Sequence, residues 1–129
     1  MLIDHIEIPV SDPDMACRFY EVALAPLGVT RIISVDAAHS ASRTVRHGLG
    51  KDGYPRLWLH GGQPTPGGLH IAFANSERSK VDAFYMAALA AGGRDNGAPG
   101  IRTRYHSSYY AAFVLDPDGN NIEVVCQAK

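Results

Sequence analysis

Only two cysteines, Cys17 and Cys126, occur in the 129 residues, and no CxxC-type spacing accompanies them. That argues against a disulfide framework and against a structural zinc knuckle, and leaves two free thiols buried in a reducing cytoplasm as the expectation. Long apolar runs are missing too: none approaches the roughly 20 residues that cross a bilayer. Neither sign of charge is in excess, with 12 Lys and Arg against 13 Asp and Glu and a formal net charge of −1. Nothing in that balance calls for nucleic acid or an anionic membrane as partner. The opening MLIDHIEIPV contains Asp4 and Glu7 and no basic n-region, so it does not read as a signal peptide. What is present is the composition of one ordinary globular domain, 46% hydrophobic and 19% charged, long enough to bury a core without staples.

The most informative positive feature is an internal repeat. Residues 5–28, HIEIPVSDPDMACRFYEVALAPLG, lie without a gap over residues 70–93, HIAFANSERSKVDAFYMAALAAGG, at a constant offset of 65. The pairs His5/His70, Ile6/Ile71, Ser11/Ser76, Phe19/Phe84, Tyr20/Tyr85 and Gly28/Gly93 are among nine identities in the 24 positions. Duplication at a fixed period implies two equivalent structural units. The boundary falls near the middle, giving modules of about 1–64 and 65–129.

Local signals fill in each unit. Leu2–Val10 alternates as a half-buried strand. Ser11 reads as an N-cap with Asp14 three residues on, and Met15, Phe19, Val22 and Ala23 recur at helical spacing until Pro26 and Gly28 stop the helix. Weaker strand patterns follow at Val29–Asp36, Arg43–Leu49 and Arg56–His60. The second copy runs as strand Leu69–Ala74, Ser76 as N-cap and helix Glu77–Ala91. After a loop-rich stretch, Arg94–Ser108, the strands Tyr109–Leu115 and Asn120–Gln127 are joined by the turn Asp116-Pro117-Asp118-Gly119. The expected fold is α+β: two β-α-β-β-β modules related by a pseudo-twofold, forming an open curled mixed sheet, with the second strand of each module the least marked.

Strand phase separates core from site. Ile6, Ile8 and Val10 face one way and His5 and Glu7 the other. In the second copy Leu69, Ile71 and Phe73 oppose His70, and on the last strand Ile122, Val124 and Cys126 oppose Glu123. Each residue alone would pass for a solvated strand side chain. Two histidines at repeat-equivalent positions and a Glu of matching phase point together to a divalent ion, Zn, Fe, Ni, Mn or Co, held by His5, His70 and Glu123. The repeat mate of Glu123 is Trp58, so a symmetric fourth ligand is absent, leaving open positions for water or substrate.

These segments, together with the terminal FVLDPDGNNIEVV, resemble the vicinal oxygen chelate superfamily of glyoxalases, bleomycin- and fosfomycin-resistance proteins and extradiol dioxygenases. The resemblance runs over essentially the whole chain. It implies paired modules curled around a metal cavity, His5, His70 and Glu123 at the family's ligand positions, and a homodimer, which exposed sheet edges also favour. Glyoxalase I carries a fourth ligand in the stretch occupied here by Trp58, and the remaining set is closer to the dioxygenase triad.

A metal with open positions can stabilise an oxyanion on a chelated substrate. The expected function is thus a metal-dependent lyase, isomerase or ring-cleaving dioxygenase acting on a small oxygenated molecule. The alternative is a binding protein that sequesters a toxic small molecule. Glu7, His106 and Tyr110 are the candidate catalytic groups. Trp58 and, in the segment GIRTRYHSSYY, Arg102, Arg104, Tyr105 and Tyr109 are candidate substrate contacts, because Arg can fork onto carboxylates and Tyr can donate to oxygens. Arg43 and His47 are weaker candidates.

Overall fold

A computed structural model of the chain describes residues 2–129. The first module comprises β1 (Ile6–Val10), α1 (Pro13–Ala23), β2 (Thr30–Val35), β3 (Arg46–Lys51) and β4 (Tyr54–Gly61); the second comprises β5 (His70–Asn75), α2 (Arg78–Ala90), β6 (Arg94–Ile101), β7 (Tyr110–Leu115) and β8 (Asn121–Cys126). The strands form two four-stranded sheets ordered β1-β4-β3-β2 and β5-β8-β7-β6. In each sheet the first strand runs parallel to the fourth and the rest are antiparallel. The offset of 65 persists to the last strand: Ile6 pairs with Leu57 and Ile71 with Ile122.

The helix in each module is set by its apolar spacing. In α1 the buried face is Ala16, Cys17, Phe19, Tyr20 and Ala23, and in α2 it is Val81, Phe84 and Ala88. Each helix packs on the sheet of its own module and the two helices pack on each other, so both inner sheet faces share one core that includes Ile8, Leu49, Leu59, Val114, Ile122 and Val124. Full burial of side chains such as Phe19 and Phe84 stabilises the fold by about 1.5–3 kcal/mol each. The opposite face of each sheet is left free of helices.

Several expectations need correction. Met15 and Val22 are 40% and 47% exposed; they flank the buried stripe instead of lying in it. The N-cap of α1 is Asp12, whose carboxylate accepts from the Met15 N–H at 3.1 Å. Ser11 instead bonds across the modules to Asp118. The N-cap of α2 is Glu77, not Ser76, and its side chain makes no capping bond; the Glu77 N–H donates to the Asn75 side chain at 2.8 Å. The first strand begins at Ile6, four residues later than its alternation suggests. Arg94–Ile101, read as loop, is a strand whose ladder with β7 shifts register twice. The expected pair of β-α-β-β-β modules with open mixed sheets is what the chain forms, each module contributing its own four-stranded sheet with no ladder between β1 and β5 among the described residues.

Two turns show why particular residues stand where they do. Asp52 and Gly53 both have positive φ, 53° and 75°, the two-residue hairpin geometry that favours Asp-Gly. Gly48 pairs with Trp58 across β3–β4, and a Cβ there would stand 3.1 Å from the indole and 2.8 Å from Pro55. Glycine is what leaves room for the indole and for Pro55.

Candidate functional site

The helix-free face of the second sheet carries the densest set of polar groups. Glu123, on the central strand β8, is 2% exposed. Its Oε1 lies 2.8 Å from Nε2 of His70 on β5, and its Oε2 accepts a short hydrogen bond from the Tyr109 hydroxyl. Burial and then the Glu123 carboxylate push the Tyr109 phenol up to about 12, so it acts as a donor throughout the physiological range. A buried carboxylate needs such partners, because an unpaired one is strongly destabilising.

Around that pair stand aromatic and cationic walls. Phe113 pairs with Glu123 across β7–β8 and its ring lies 6.2 Å from that of His70. The Arg102 guanidinium sits 5.2 Å from the Phe113 ring, held by the carbonyls of Ala98 and Gly100 at 2.7 and 2.9 Å. His106 meets Tyr109 edge-on at 5.6 Å and bonds Gln127 at 2.8 Å. Tyr105 is 4.6 Å from the Tyr109 ring, with Arg104 over its outer side.

On the first sheet, the equivalent face has a different chemistry. Glu7 is gripped by Arg46 through two bonds of 3.0 and 2.8 Å, and the Arg46 guanidinium lies 4.5 Å above the Trp58 ring. His60 Nδ1 is 2.9 Å from Glu7 Oε2 but too poorly aligned to form a hydrogen bond. Hydrogen bonding from Arg46 holds the Glu7 carboxyl below its usual range.

The sequence-derived candidates thus divide. His70, Glu123, Tyr109, Arg102, His106 and Tyr105 gather on one sheet face, with Arg104 at its rim. Glu7 and Trp58 meet on the other module's face, where Glu7 serves Arg46. Tyr110 does not reach the site: alternation turns it to the helix side, where its hydroxyl donates to Asp82 of α2 at 2.6 Å. His5 lies just before β1 and its Nδ1 bonds Asp4 at 2.8 Å. His5 does not join His70 and Glu123 within the chain: among the described residues no three His, Cys, Asp or Glu side chains form a group fit to hold a metal. The physical reason is that the two first strands belong to separate sheets. His47 is buried on the helix side, where it bridges Asp14 and Ser34 at 2.8 and 2.7 Å. Arg43 sits at a positive φ in the loop before β3.

Arg46 and Phe113 were not singled out from sequence. The register signal existed, since both share the phase of identified residues on neighbouring strands, but it requires knowing the strand pairs.

This architecture, paired β-α-β-β-β modules with helix-free sheet faces, defines the class. The chain belongs to the Glyoxalase/Bleomycin resistance protein/Dioxygenase superfamily, whose family model matches residues 2–124. Among solved structures it is similar to a glyoxalase/bleomycin resistance protein from Albidiferax ferrireducens T118, at 26% identity and TM-score 0.73, covering 97% of this chain and 98% of that one. A glyoxylase/bleomycin resistance protein/dioxygenase domain from Frankia sp. EAN1pec shares the fold at 18% identity and TM-score 0.73, with coverage of 98% and 97%. Glyoxalase I from Zea mays does so at 22% identity and TM-score 0.71; 98% of this chain matches 45% of that longer one. No protein of curated function matches the sequence. Among the described residues, no helix is long and apolar enough to cross a membrane.

Proposed function

We propose that this protein is a metal-dependent enzyme of the glyoxalase or dioxygenase type. In this reading His70 and Glu123 hold a divalent ion on the second module's open face and His5 of a second copy completes the site. The observation that carries the reading is the buried Glu123 carboxylate, 2.8 Å from His70 on a face that buries no helix. A carboxylate and an imidazole so placed are a fitting donor pair for a divalent cation. Such an ion would supply Lewis-acid stabilisation of oxygen-centred charge on a chelated substrate.

The rest of the site is supplied by the chain itself. Tyr109 fixes the orientation of Glu123, as outer hydrogen bonds to metal-binding carboxylates do. Phe113 and Tyr105 offer apolar walls to a small substrate, and Arg102 presents fixed positive charge to a carboxylate or enolate. His106 is the group best suited to move a proton, being exposed beside Tyr109. Glu7 is a poor base, because Arg46 stabilises its anion.

The separation of the two sheets supports a homodimer. Both β1 and β5 are unpaired edges, and one protomer's first module laid against its partner's second would bring the two halves of the repeat together. The buried thiols Cys17 and Cys126, the first pushed up to about 12 mainly by burial, fit a reducing cytoplasm.

A second reading is a small-molecule sequestration protein. It is favoured by the lack of a three-donor group among the described residues of one chain. Elemental analysis of untagged protein separates the two. About one equivalent of Fe, Mn, Ni, Co or Zn per chain, lost in Glu123→Ala and His70→Ala, supports the enzyme. Failure to bind any of these ions after reconstitution rejects it.

A further inference from the structure

The two sides of the pseudo-twofold are closed differently. On one side, the start of the first module grips the β7–β8 turn of the second. The Tyr20 hydroxyl donates to Asp116 at 2.5 Å, and Ser11 donates to Asp118 through its N–H at 3.0 Å and its hydroxyl at 2.5 Å. Under this clasp Ile8 and Val10 are fully buried.

On the other side the clasp cannot form. The residues 65 positions before Asp116 and Asp118 are Lys51 and Gly53, so the acceptors of Ser11 and Tyr20 have no counterparts for their mates Ser76 and Tyr85; the one carboxylate of the β3–β4 turn, Asp52, falls at neither position. Phe73 and Asn75, the mates of Ile8 and Val10, remain half-buried. They line a cavity of about 720 Å³ between the modules. Its floor is apolar, built from Ile6, Leu24, Leu27, Leu49 and Leu57, and its charged lining residues are Lys51, Asp52, Arg56 and Lys80. Lys80 is already paired with Glu77 at 2.9 Å. Lys51 makes no salt bridge among the described residues. The cavity lies on the helix side of the sheets, since Ile6 and Leu57 alternate with Glu7 and Trp58, and is therefore separate from the site at Glu123.

We propose that this cavity is a second ligand site, which takes an amphipathic monocarboxylate with its alkyl or aryl part on the leucine floor and its carboxylate on Lys51. The size is that of small-molecule pockets, a few hundred Å³ or more with an apolar lining and few polar anchors. Charge complementarity selects an anion: three cations line the cavity against the single carboxylate of Asp52, and of the three only Lys51 makes no salt bridge among the described residues, Arg56 lying 3.8 Å from Asp4 and Lys80 2.9 Å from Glu77. Burial of an alkyl chain contributes about 0.8 kcal/mol per CH₂, so affinity should rise with chain length until the floor is filled.

Calorimetric titration with octanoate tests the assignment, with octylamine and butyrate as controls. One saturable octanoate site per chain is expected, with butyrate at least tenfold weaker and octylamine not binding. Lys51→Glu, an exposed change, should weaken octanoate at least tenfold, and Val29→Phe, which fills the cavity wall, should remove it while the circular dichroism spectrum stays native. Equal binding of octylamine, or octanoate affinity unchanged in Lys51→Glu, would overturn the proposal. So would dissociation of a dimer by Lys51→Glu, which would show a second copy seated in the cavity. Metal content is unaffected by either variant on this account, so the outcome is independent of the site at Glu123.

Discussion

Trp58 and Glu123 hold the same register position in their two sheets. Trp58 pairs with Glu7 across β1–β4, Glu123 pairs with Ala72 across β5–β8, and both members of each pair are 65 residues from their counterparts. One module therefore has a buried acid at this point, and the other has an indole covered by Arg46. Restoring symmetry takes more than one substitution, because a carboxylate at position 58 would face Arg46 and be neutralised by it. Trp58→Glu alone should leave metal affinity about unchanged. Arg46→Ala/Trp58→Glu should tighten it relative to Arg46→Ala, by about tenfold. Competition with a chromogenic chelator reads both, and a double variant no tighter than Arg46→Ala would remove position 58 from the metal site.

The Tyr109–Glu123 bond makes a separate claim. Tyr109→Phe leaves the buried carboxylate with His70 alone, and a lost hydrogen bond to a charged group costs about 1.5–3 kcal/mol. Outer-sphere partners of this kind also change metal affinity by about 10–100-fold. Chemical denaturation and metal titration should both register Tyr109→Phe. If neither moves, Tyr109 does not position Glu123.

Much of this was legible in the sequence. The repeat fixed the strand and helix order of both modules, and the shared phase of His70 and Glu123 brought them to one face before any pairing was known. The rest depended on contacts that local pattern does not encode. Gly97 and Gly100, with Pro99 between them, hid β6 because its ladder is interrupted at those residues. Tyr109 and Tyr110 look interchangeable in composition, yet alternation sends one to Glu123 and the other to Asp82. The meeting of His5 with its two partners was the natural reading of a pseudo-twofold. Within one chain, however, the two modules share their helical faces, which keeps the open faces apart.

The clasp between modules predicts a stability effect. Tyr20 and Asp116 are 1% and 2% exposed, and Asp116 also accepts from the Asp118 N–H and from the backbone and side chain of Asn120. Tyr20→Phe removes one of four donors without opening a cavity. We expect a loss of about 1.5–3 kcal/mol, seen as a Tm lower by several degrees. An unchanged Tm would mean that the clasp contributes nothing.

The Glu7–Arg46 pair predicts a pH dependence. The folded-state carboxyl of Glu7 lies below its ordinary value because of the hydrogen bonds from Arg46. Its contribution to stability is thus complete above the unfolded carboxyl pKa, about 4.3, and is lost as pH falls through the lower folded value. The Tm difference between wild type and Glu7→Gln should be present at pH 7 and shrink below about pH 4. A difference that persists undiminished at pH 2 would assign the effect to packing instead of charge.

The central claim is that the metal site is shared between two copies of this chain, and mixing two inactive variants tests it most directly. His5→Ala and Glu123→Ala homodimers should each fail to bind metal. Denatured together, refolded and separated by differential tags removed before analysis, the heterodimer should bind one metal ion. Shared construction places both lesions in one site and leaves the other with intact His5, His70 and Glu123. A heterodimer that binds no metal would contradict the account, because each chain would then supply its own three ligands or none.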